Sequence, residues 1–290
     1  KFNYFKKTNK KIKIFNNYNC FKKIFHKKLD YVMSSISGFE GLQPTIEIIK
    51  YTKTIAIANK ESIICGWSLI QKELKNNKTK FIPVDSEHFS IWSLINGKNE
   101  TIDEIYMTAS GGPFLRRKRE SLKNIKPSHA IKHPRWKMGK KISIDSATMV
   151  NKVFEIIEAN KIFNLNINKI KILSHPDSYV HAIVKFTNGL TKILIHETNM
   201  KIPIFNSLYN SKSAKIYSEK LNIKKLNNLN LNTISVKQFP ALNIIKFFNK
   251  NQNSLLETVL VSANDELVYL FLKNKINFFD ITEKLITILK

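Results

Sequence analysis

The sequence predicts an α/β fold, because short apolar segments of strand length alternate with longer helical segments. Residues 54–58 and 81–84 are apolar on both faces, which is typical of strands in a buried parallel sheet. Residues 61–76 lie between them and have the pattern of a helix. A strand–helix–strand order of this kind is typical of α/β proteins.

The composition is that of a globular protein with an unusual charge. The 290 residues are 43% hydrophobic, enough for two domains with a buried core. No apolar run reaches 18 residues, so we expect no transmembrane helix.

The 48 basic and 22 acidic residues give a net charge of +26. Such a charge is typical of nucleic-acid binders, and that alternative stays open. The lysines are spread along the whole chain, and Asn and Ile are also abundant. This pattern favours the explanation that the high charge reflects compositional drift in an AT-rich genome.

The remaining elements continue the α/β pattern. Residues 1–30 are basic and aromatic, lack a secretory signal, and are expected to form strands and loops of an incomplete domain. Residues 30–49 look helical, with a glycine-containing break at 37–41. A helix is predicted for 147–163, a polar connector for 207–238, and helices from Ala241 onward. Further strands are predicted at 104–109, 141–144, 170–173, 182–186 and 191–196, the last three in one mixed sheet. Cys20 and Cys65 have no CxxC partner and are expected to be ordinary thiols.

An acidic motif, Asp85-Ser86-Glu87-His88, directly follows the predicted strand at 81–84. Ligands of open α/β sheets bind outside the carboxyl ends of the strands. Carboxylates two apart in an extended segment point the same way, and their oxygens suit a hard divalent cation such as Mg²⁺ or Mn²⁺. A helix N-cap is the alternative interpretation.

A second motif spans residues 143–158. Asn151 and Glu155 are four apart and share a helix face, with Lys152 adjacent. Ser146, Asn151 and Lys152 can bind phosphate oxygens, and Glu155 can supply a third carboxylate. A solvated helix face is the alternative.

Three weaker motifs lie in predicted loops. Residues 109–113, Ala-Ser-Gly-Gly-Pro, follow a strand and form either an anion-binding turn or a plain tight turn. Residues 133–139, which contain Trp136 and Met138, form either a lid or an ordinary packed loop. Residues 58–61, Ala-Asn-Lys-Glu, place polar groups at the end of another strand.

The order of these motifs is far more specific than any one of them. Asn-Lys-Glu, Asp-Ser-Glu-His, Ser-Gly-Gly-Pro, His-Pro-x-Trp-x-Met-Gly and Asp-Ser-Ala-Thr-Met-x-Asn-Lys-x-x-Glu follow one another along the chain. This series resembles the 1-deoxy-D-xylulose 5-phosphate reductoisomerase family over roughly residues 30–290. Further similar segments lie at 32–42, 175–178, 180–184, 199–204 and 262–266.

The resemblance implies an NADP-dependent oxidoreductase of isoprenoid biosynthesis by the non-mevalonate route. Such an enzyme rearranges 1-deoxy-D-xylulose 5-phosphate and reduces it to 2-C-methyl-D-erythritol 4-phosphate with NADPH and Mn²⁺ or Mg²⁺. The implied metal ligands are Asp85, Glu87 and Glu155. The implied substrate contacts are Lys60, Ser86, Ser110, His133, Ser146, Asn151 and Lys152, of which Ser110, Ser146, Asn151 and Lys152 would clamp the phosphate. The implied lid residues are Trp136 and Met138, and the implied NADPH contacts are Asn59, Glu61 and Gly139.

The resemblance also implies a domain plan. Residues 1–84 would be a remnant of a Rossmann-type NADPH-binding domain, 85–206 the α/β catalytic domain and 207–240 a connector. Residues 241–290 would be a C-terminal helical domain that is cut short. The family's Gly-x-Thr-Gly-x-x-Gly turn is absent from this sequence, so NADPH binding by this chain alone is in question. Val153 stands where the family usually has Gly.

The resemblance further implies a homodimer in the bacterial cytoplasm, or in a plastid if the source is eukaryotic. No nucleic-acid or membrane partner is expected. The alternatives are an inactive fragment or homologue that keeps only metal and phosphate binding, and a basic nucleic-acid-binding protein.

Overall fold

The structure is a computed structural model that describes residues 14–15, 17–95, 100–209, 214–248 and 255–290. It contains two separate sheets, one of three strands and one of five. The strands are β1 Leu29–Ser34, β2 Thr52–Ile57, β3 Lys80–Pro83, β4 Ile102–Ala109, β5 Ile170–Ser174, β6 Val180–Phe186, β7 Thr191–Ile195 and β8 Asn232–Thr233. The α/β prediction is therefore confirmed.

Twelve α-helices lie within the described residues. They are α1 Phe21–Ile24, α2 Leu42–Ile49, α3 Lys60–Asn76, α4 Ser86–Ile95, α5 Pro127–Ala130, α6 Lys140–Thr148, α7 Val150–Phe163, α8 Lys201–Leu208, α9 Ile223–Asn227, α10 Ile245–Phe248, α11 Leu256–Leu272 and α12 Phe278–Ile288. Among the described helices, none is long and apolar enough to cross a membrane. The expectations for residues 1–13, and those parts of the connector and C-terminal helices that fall at 210–213 and 249–254, lie outside the described residues.

The smaller sheet is parallel throughout, with strand order β1-β2-β3. Its middle strand is apolar on both faces, and Ile55 and Ile57 pack with Ile49, Ile63 and Ile70 of α2 and α3. Burial on both faces explains the continuous apolar run. The carboxyl ends of β2 and β3 point to the same edge, so the polar residues that follow them meet there.

The larger sheet has the order β7-β6-β4-β5-β8 and is mixed. The β4 and β5 strands are parallel, and the other pairs are antiparallel. The predicted mixed sheet is thus confirmed, with β8 as an added edge strand from the polar connector. Helix α7 packs against β5, and its opposite side joins the apolar core with α11 and α12.

Two predicted elements are wrong. The segment 141–144 is not a strand but part of α6, and residues 30–34, predicted as part of a helical segment, belong to strand β1. In α6 the helix buries Ile144 and Ala147 against the main core. In β1 the apolar residues pack against β2 at the sheet edge. A short apolar run has the same pattern in a strand and in a buried helix, so only the tertiary contacts separate them.

The predicted helix 147–163 begins later than expected. Met149 has a left-handed backbone (φ 65°) and separates α6 from α7. This conformation is uncommon for a residue with a side chain. The bend turns Ser146 of α6 and Asn151 of α7 toward the same cavity.

Candidate active site

A cavity of about 250 Å³ lies where the carboxyl ends of β2, β3 and β4 meet. Its position agrees with the general location of ligand sites in open α/β sheets. Every residue predicted for metal or substrate binding lines it, as do both predicted lid residues. These lining residues are Lys60, Asp85, Ser86, Glu87, Ser110, His133, Trp136, Met138, Ser146, Asn151, Lys152 and Glu155.

Three carboxylates converge on one side of the cavity. Oxygens of Asp85, Glu87 and Glu155 all lie within 4.8 Å of one another. Asp85 immediately precedes α4, Glu87 lies in its first turn, and Glu155 lies on α7. The expected extended geometry of residues 85–87 is wrong, because the helix begins at Ser86. The backbone N–H of Glu87 donates to Asp85 Oδ1 at 3.4 Å, as at a helix N-terminus.

Two buried lysines neutralise most of this charge. Lys60 Nζ lies 2.8 Å from Asp85 Oδ2 and 3.2 Å from Glu155 Oε1. Lys152 Nζ lies 2.7 Å from Glu87 Oε1 and also contacts the Glu155 carboxylate. Both ammonium groups, predicted to contact substrate, therefore occupy the metal side of the cavity in this structure.

The carboxylates differ in their protonation. Burial and the neighbouring Glu155 raise the pKa of Glu87 to about 7. Burial also acts on Asp85, but the Lys60 ammonium outweighs it and holds the pKa of Asp85 well below its usual range. Burial lowers the pKa of Lys152, yet Glu155 and Glu87 raise it by more, so the group stays an ammonium.

The predicted shared helix face of α7 is confirmed. The Asn151 amide donates to Glu155 Oε1, and Lys60 Nζ donates to Asn151 Oδ1 at 2.9 Å. Asn151 thus links the lysine of α3 to the carboxylate of α7. Its predicted contact with phosphate, like that of Lys152, stays a prediction.

The glycine turn after β4 fixes the position of Ser110. Gly111 and Gly112 both have left-handed backbones, with φ of 77° and 62°. A Cβ on Gly112 would lie 2.9 Å from the backbone oxygen of Ser146. Glycine is needed because the turn approaches α6 this closely. As a result, the hydroxyls of Ser110 and Ser146 line the same cavity.

His133 is a neutral hydrogen-bond donor to Ser110. Its Nδ1 accepts from the backbone N–H groups of Arg135 at 3.1 Å and Trp136 at 2.9 Å. The proton must then be on Nε2, which donates to Ser110 Oγ at 2.9 Å. Burial lowers the pKa of His133 to about 4, which keeps the ring uncharged at neutral pH.

The segment 133–139 covers the cavity. The Trp136 ring stands edge-on to His181, with centroids 6.4 Å apart. Arg135 donates to Asp177 at 2.5 Å and to the Pro176 carbonyl at 3.1 Å, both exposed contacts. The role of this segment as a lid, and its movement, stay predictions.

The three predicted NADPH contacts do not line this cavity. The buried Asn59 caps α3: it accepts from Ser62 N and donates to the Ile36 and Gly38 carbonyls. Glu61 pairs with Lys141 at 3.0 Å, and Gly139 is exposed before α6. Their cofactor roles stay predictions, and the bonded side chain of Asn59 would leave only its backbone for such a contact.

The sequence analysis gave no role to several residues that line the cavity, among them Thr108, Met149, Ser178, His181 and Met200. The segments around Ser178 and His181 supported the family resemblance, yet no role followed from them. The sequence signal that could have indicated Ser178 and His181 as site residues was their position as polar residues at the start of an apolar strand. A further cluster behind the carboxylates was also missed: His88 Nδ1 lies 3.5 Å from oxygens of both Asp85 and Glu158.

The residues present fit a divalent cation. Three carboxylates offer hard oxygen ligands at one place, with a formal net charge of −1 when all three are ionised and the two lysines are counted. The ammonium groups that lie between the carboxylates mark the place where positive charge is stabilised.

Comparisons with known proteins agree with this geometry. Models of 1-deoxy-D-xylulose 5-phosphate reductoisomerase match residues 3–66, and models of its C-terminal domains match 81–163 and 195–290. The reductoisomerase of Pelagibacter ubique is 60% identical over 283 residues, which are 97% of this chain and 73% of that protein. That of Clostridium novyi is 40% identical over 88% of this chain and 66% of its own length.

Solved structures match as well. The Zymomonas mobilis reductoisomerase in complex with NADPH has a TM-score of 0.84 and 32% identity, covering 94% of this chain and 70% of that one. A DOX-P reductoisomerase in complex with NADPH, fosmidomycin and magnesium also has a TM-score of 0.84, with 31% identity, and the match covers 91% and 67% of the two chains. On these similarities, the chain belongs to the 1-deoxy-D-xylulose 5-phosphate reductoisomerase family.

Proposed function

We propose that this chain carries the metal- and substrate-binding part of an NADPH-dependent 1-deoxy-D-xylulose 5-phosphate reductoisomerase, which forms 2-C-methyl-D-erythritol 4-phosphate. The observation that carries the proposal is the convergence of Asp85, Glu87 and Glu155 beside Lys60 and Lys152. The chain spans 73% of the Pelagibacter relative and 66% of the Clostridium novyi relative. We therefore assign the complete reaction to the product of the complete open reading frame.

The carboxylates would hold Mn²⁺ or Mg²⁺. A divalent cation bound there supplies Lewis-acid polarisation of the substrate oxygens, and NADPH supplies the hydride. The chain's own residues place the substrate. A cation there would compete with Lys60 and Lys152 for the carboxylate oxygens, and its charge would leave both ammonium groups free for substrate oxygens.

The hydroxyls of Ser110 and Ser146, which line the cavity, would bind the phosphate. Asn151 and Lys152, which pair with the metal-side carboxylates in this structure, would add a donor and a charge once a cation takes their place there. Neutral His133 keeps its proton on Nε2, so it orients Ser110 without adding positive charge. Trp136 and Met138 would close over the substrate and exclude water during hydride transfer.

The experiment is an NADPH-oxidation assay with 1-deoxy-D-xylulose 5-phosphate and Mn²⁺. The product of the complete open reading frame should turn over, and its Glu155→Gln variant should not. A folded wild-type protein that binds Mn²⁺ and the inhibitor fosmidomycin without turnover would identify an inactive homologue. Salt-dependent binding to duplex DNA without either activity would favour the nucleic-acid alternative.

We also propose that the protein works as a homodimer in the bacterial cytoplasm. The location is supported by the bacterial sources of the compared relatives, and the dimer is proposed from the family resemblance alone. Light scattering of the purified protein would test the dimer, and cell fractionation would test the location.

A further inference from the structure

An ion cluster outside the cavity, partly exposed at Lys141 and Asp265 and buried at Asp145, joins three parts of the chain. Lys141 Nζ lies 3.0 Å from Glu61 Oε1, 3.1 Å from Asp145 Oδ2 and 3.1 Å from Asp265 Oδ1. Glu61 belongs to α3, Asp145 to α6 together with Lys141, and Asp265 to α11. The ammonium also lies 5.0 Å from the centre of the Phe154 ring of α7. One lysine therefore contacts four helices.

The cluster is held from the C-terminal side by a second contact. Asn264 of α11 is fully buried, and its Nδ2 donates to Asp145 Oδ1 at 2.8 Å. Burial raises the pKa of Asp145. Burial of Lys141 opposes its charge, but the surrounding carboxylates raise its pKa by more, so it remains an ammonium ion. A cation shared among three carboxylates is hard to replace by solvent, which makes the arrangement rigid.

The position of Lys141 connects this cluster to the substrate site. Lys141 is the second residue of α6 and lies two residues after Gly139, the last residue of the lid segment 133–139. Five residues later the same helix carries Ser146, which lines the cavity. The cluster therefore sets where the lid ends and where α6 points.

We propose that Lys141 is a positioning residue through which the C-terminal helices hold the lid and the Ser146 end of the cavity in place. The inference rests on the proposed function, because it assigns Ser146 and the lid to substrate binding. The metal side is held separately: Asp85, Glu87 and Glu155 pair with Lys60 and Lys152, not with Lys141. Loss of Lys141 should thus weaken phosphate binding and leave metal binding unchanged.

The test uses the product of the complete open reading frame with Lys141→Met, Lys141→Arg and, as a matched control, Lys140→Met at an exposed neighbouring position. Binding of Mn²⁺ alone is measured by electron paramagnetic resonance. Binding of fosmidomycin with Mn²⁺ is measured by calorimetry, and the KM and kcat for 1-deoxy-D-xylulose 5-phosphate are determined. Lys141→Met should weaken fosmidomycin binding and raise KM by about tenfold or more, since small misplacements of binding groups are costly. The Mn²⁺ affinity of Lys141→Met should stay within about twofold of wild type, because the groups that move are those that bind substrate and the metal ligands stay in position.

Recovery of most of the affinity in Lys141→Arg and wild-type behaviour of Lys140→Met would support the proposal. Unchanged fosmidomycin binding in folded Lys141→Met would overturn it. Equal weakening of Mn²⁺ and fosmidomycin would also overturn it, because that pattern indicates general loosening of the fold. If Lys141→Met does not fold, the milder variant Asp265→Asn is used instead. Weaker fosmidomycin binding with unchanged Mn²⁺ binding is then the expected result for that variant. A wild-type protein that neither turns over nor binds fosmidomycin would contradict the proposed function instead.

Discussion

Lys152 Nζ lies 2.7 Å from Glu87 Oε1, although the two residues are 65 positions apart and belong to different helices. The same ammonium contacts Glu155 and donates to the Thr108 carbonyl at 2.6 Å. Lys152 is thus an internal counter-ion for two of the three carboxylates. Any cation that binds these carboxylates must compete with it.

This competition predicts that Lys152→Met binds Mn²⁺ more tightly than wild type. The variant leaves three carboxylates with one lysine, so the formal net charge of the site with all three carboxylates ionised changes from −1 to −2. Fosmidomycin binding should weaken, because the same lysine is proposed to contact phosphate. Titration of Mn²⁺ by electron paramagnetic resonance gives the affinity. The control is Lys171→Met on an exposed position of β5. A weaker Mn²⁺ affinity in Lys152→Met would contradict the counter-ion interpretation.

Glu155→Gln should have the opposite effect on the metal. Glu155 contacts both Lys60 and Lys152 and is almost fully buried. The glutamine amide in this variant carries no charge, so the substitution removes a charged metal ligand. We expect the Mn²⁺ affinity to fall by more than about 100-fold, which exceeds the effect of substituting residues that only contact the ligands. Isothermal titration with Mn²⁺ measures it, with the exposed Glu120→Gln as control. Retained affinity in Glu155→Gln would mean that this residue is not a ligand.

Val153→Gly should destabilise the fold without changing the site chemistry. Val153 is fully buried in the core between α7 and the C-terminal helices, at a position where the family usually has glycine. Loss of its side chain and the lower helix propensity of glycine together cost about 2–4 kcal/mol. Urea unfolding measures the difference. Val259→Ala, at a partly exposed position of α11, should change stability by less than about 0.5 kcal/mol. An unfolding free energy for Val153→Gly equal to wild type would show that the core closes around the glycine.

His133 predicts a specific pH dependence of stability. Its pKa is about 4 in the folded protein and 6.5 in the reference state. Between these values the unfolded chain binds a proton that the folded ring does not, so stability falls as the pH drops from 6.5 toward 4. His133→Gln lacks this contribution. Urea unfolding at pH 7.5 and pH 5 should therefore show a smaller loss of stability in His133→Gln than in wild type. An equal loss in both proteins would refute a neutral His133.

Trp136 should report lid closure. The ring is half-buried and in edge contact with His181 at the cavity. Fosmidomycin with Mn²⁺ should shift the tryptophan emission of the wild-type protein and leave Trp136→Phe nearly unchanged. Trp67→Phe, in the core of the smaller sheet, serves as the control and should keep the shift. A shift that survives in Trp136→Phe would place the responding tryptophan elsewhere.

The sequence by itself determined the α/β class, the strands β2 to β7 and the three carboxylates. The strands follow from apolar runs of strand length, Asp85 and Glu87 from polar residues at a strand end, and Glu155 from its place on a helix face. The order of the motifs also identified the family, which the comparisons confirm. The spacing of Asn151 and Glu155 correctly predicted a shared helix face, since one helical turn brings them together.

Only the tertiary structure decided the rest. Ile142 and Ile144 alternate as in a strand, but the core contacts of α6 make them helical. The lysines Lys60 and Lys152 could face phosphate or carboxylates, and only the packing of α3, α4 and α7 brings their ammonium groups to the carboxylates. The ion cluster of Lys141 joins residues from position 61 to position 265, so no local pattern could have shown it. Local spacing fixes what neighbours along one element can share, whereas charge pairing across elements depends on how the elements pack.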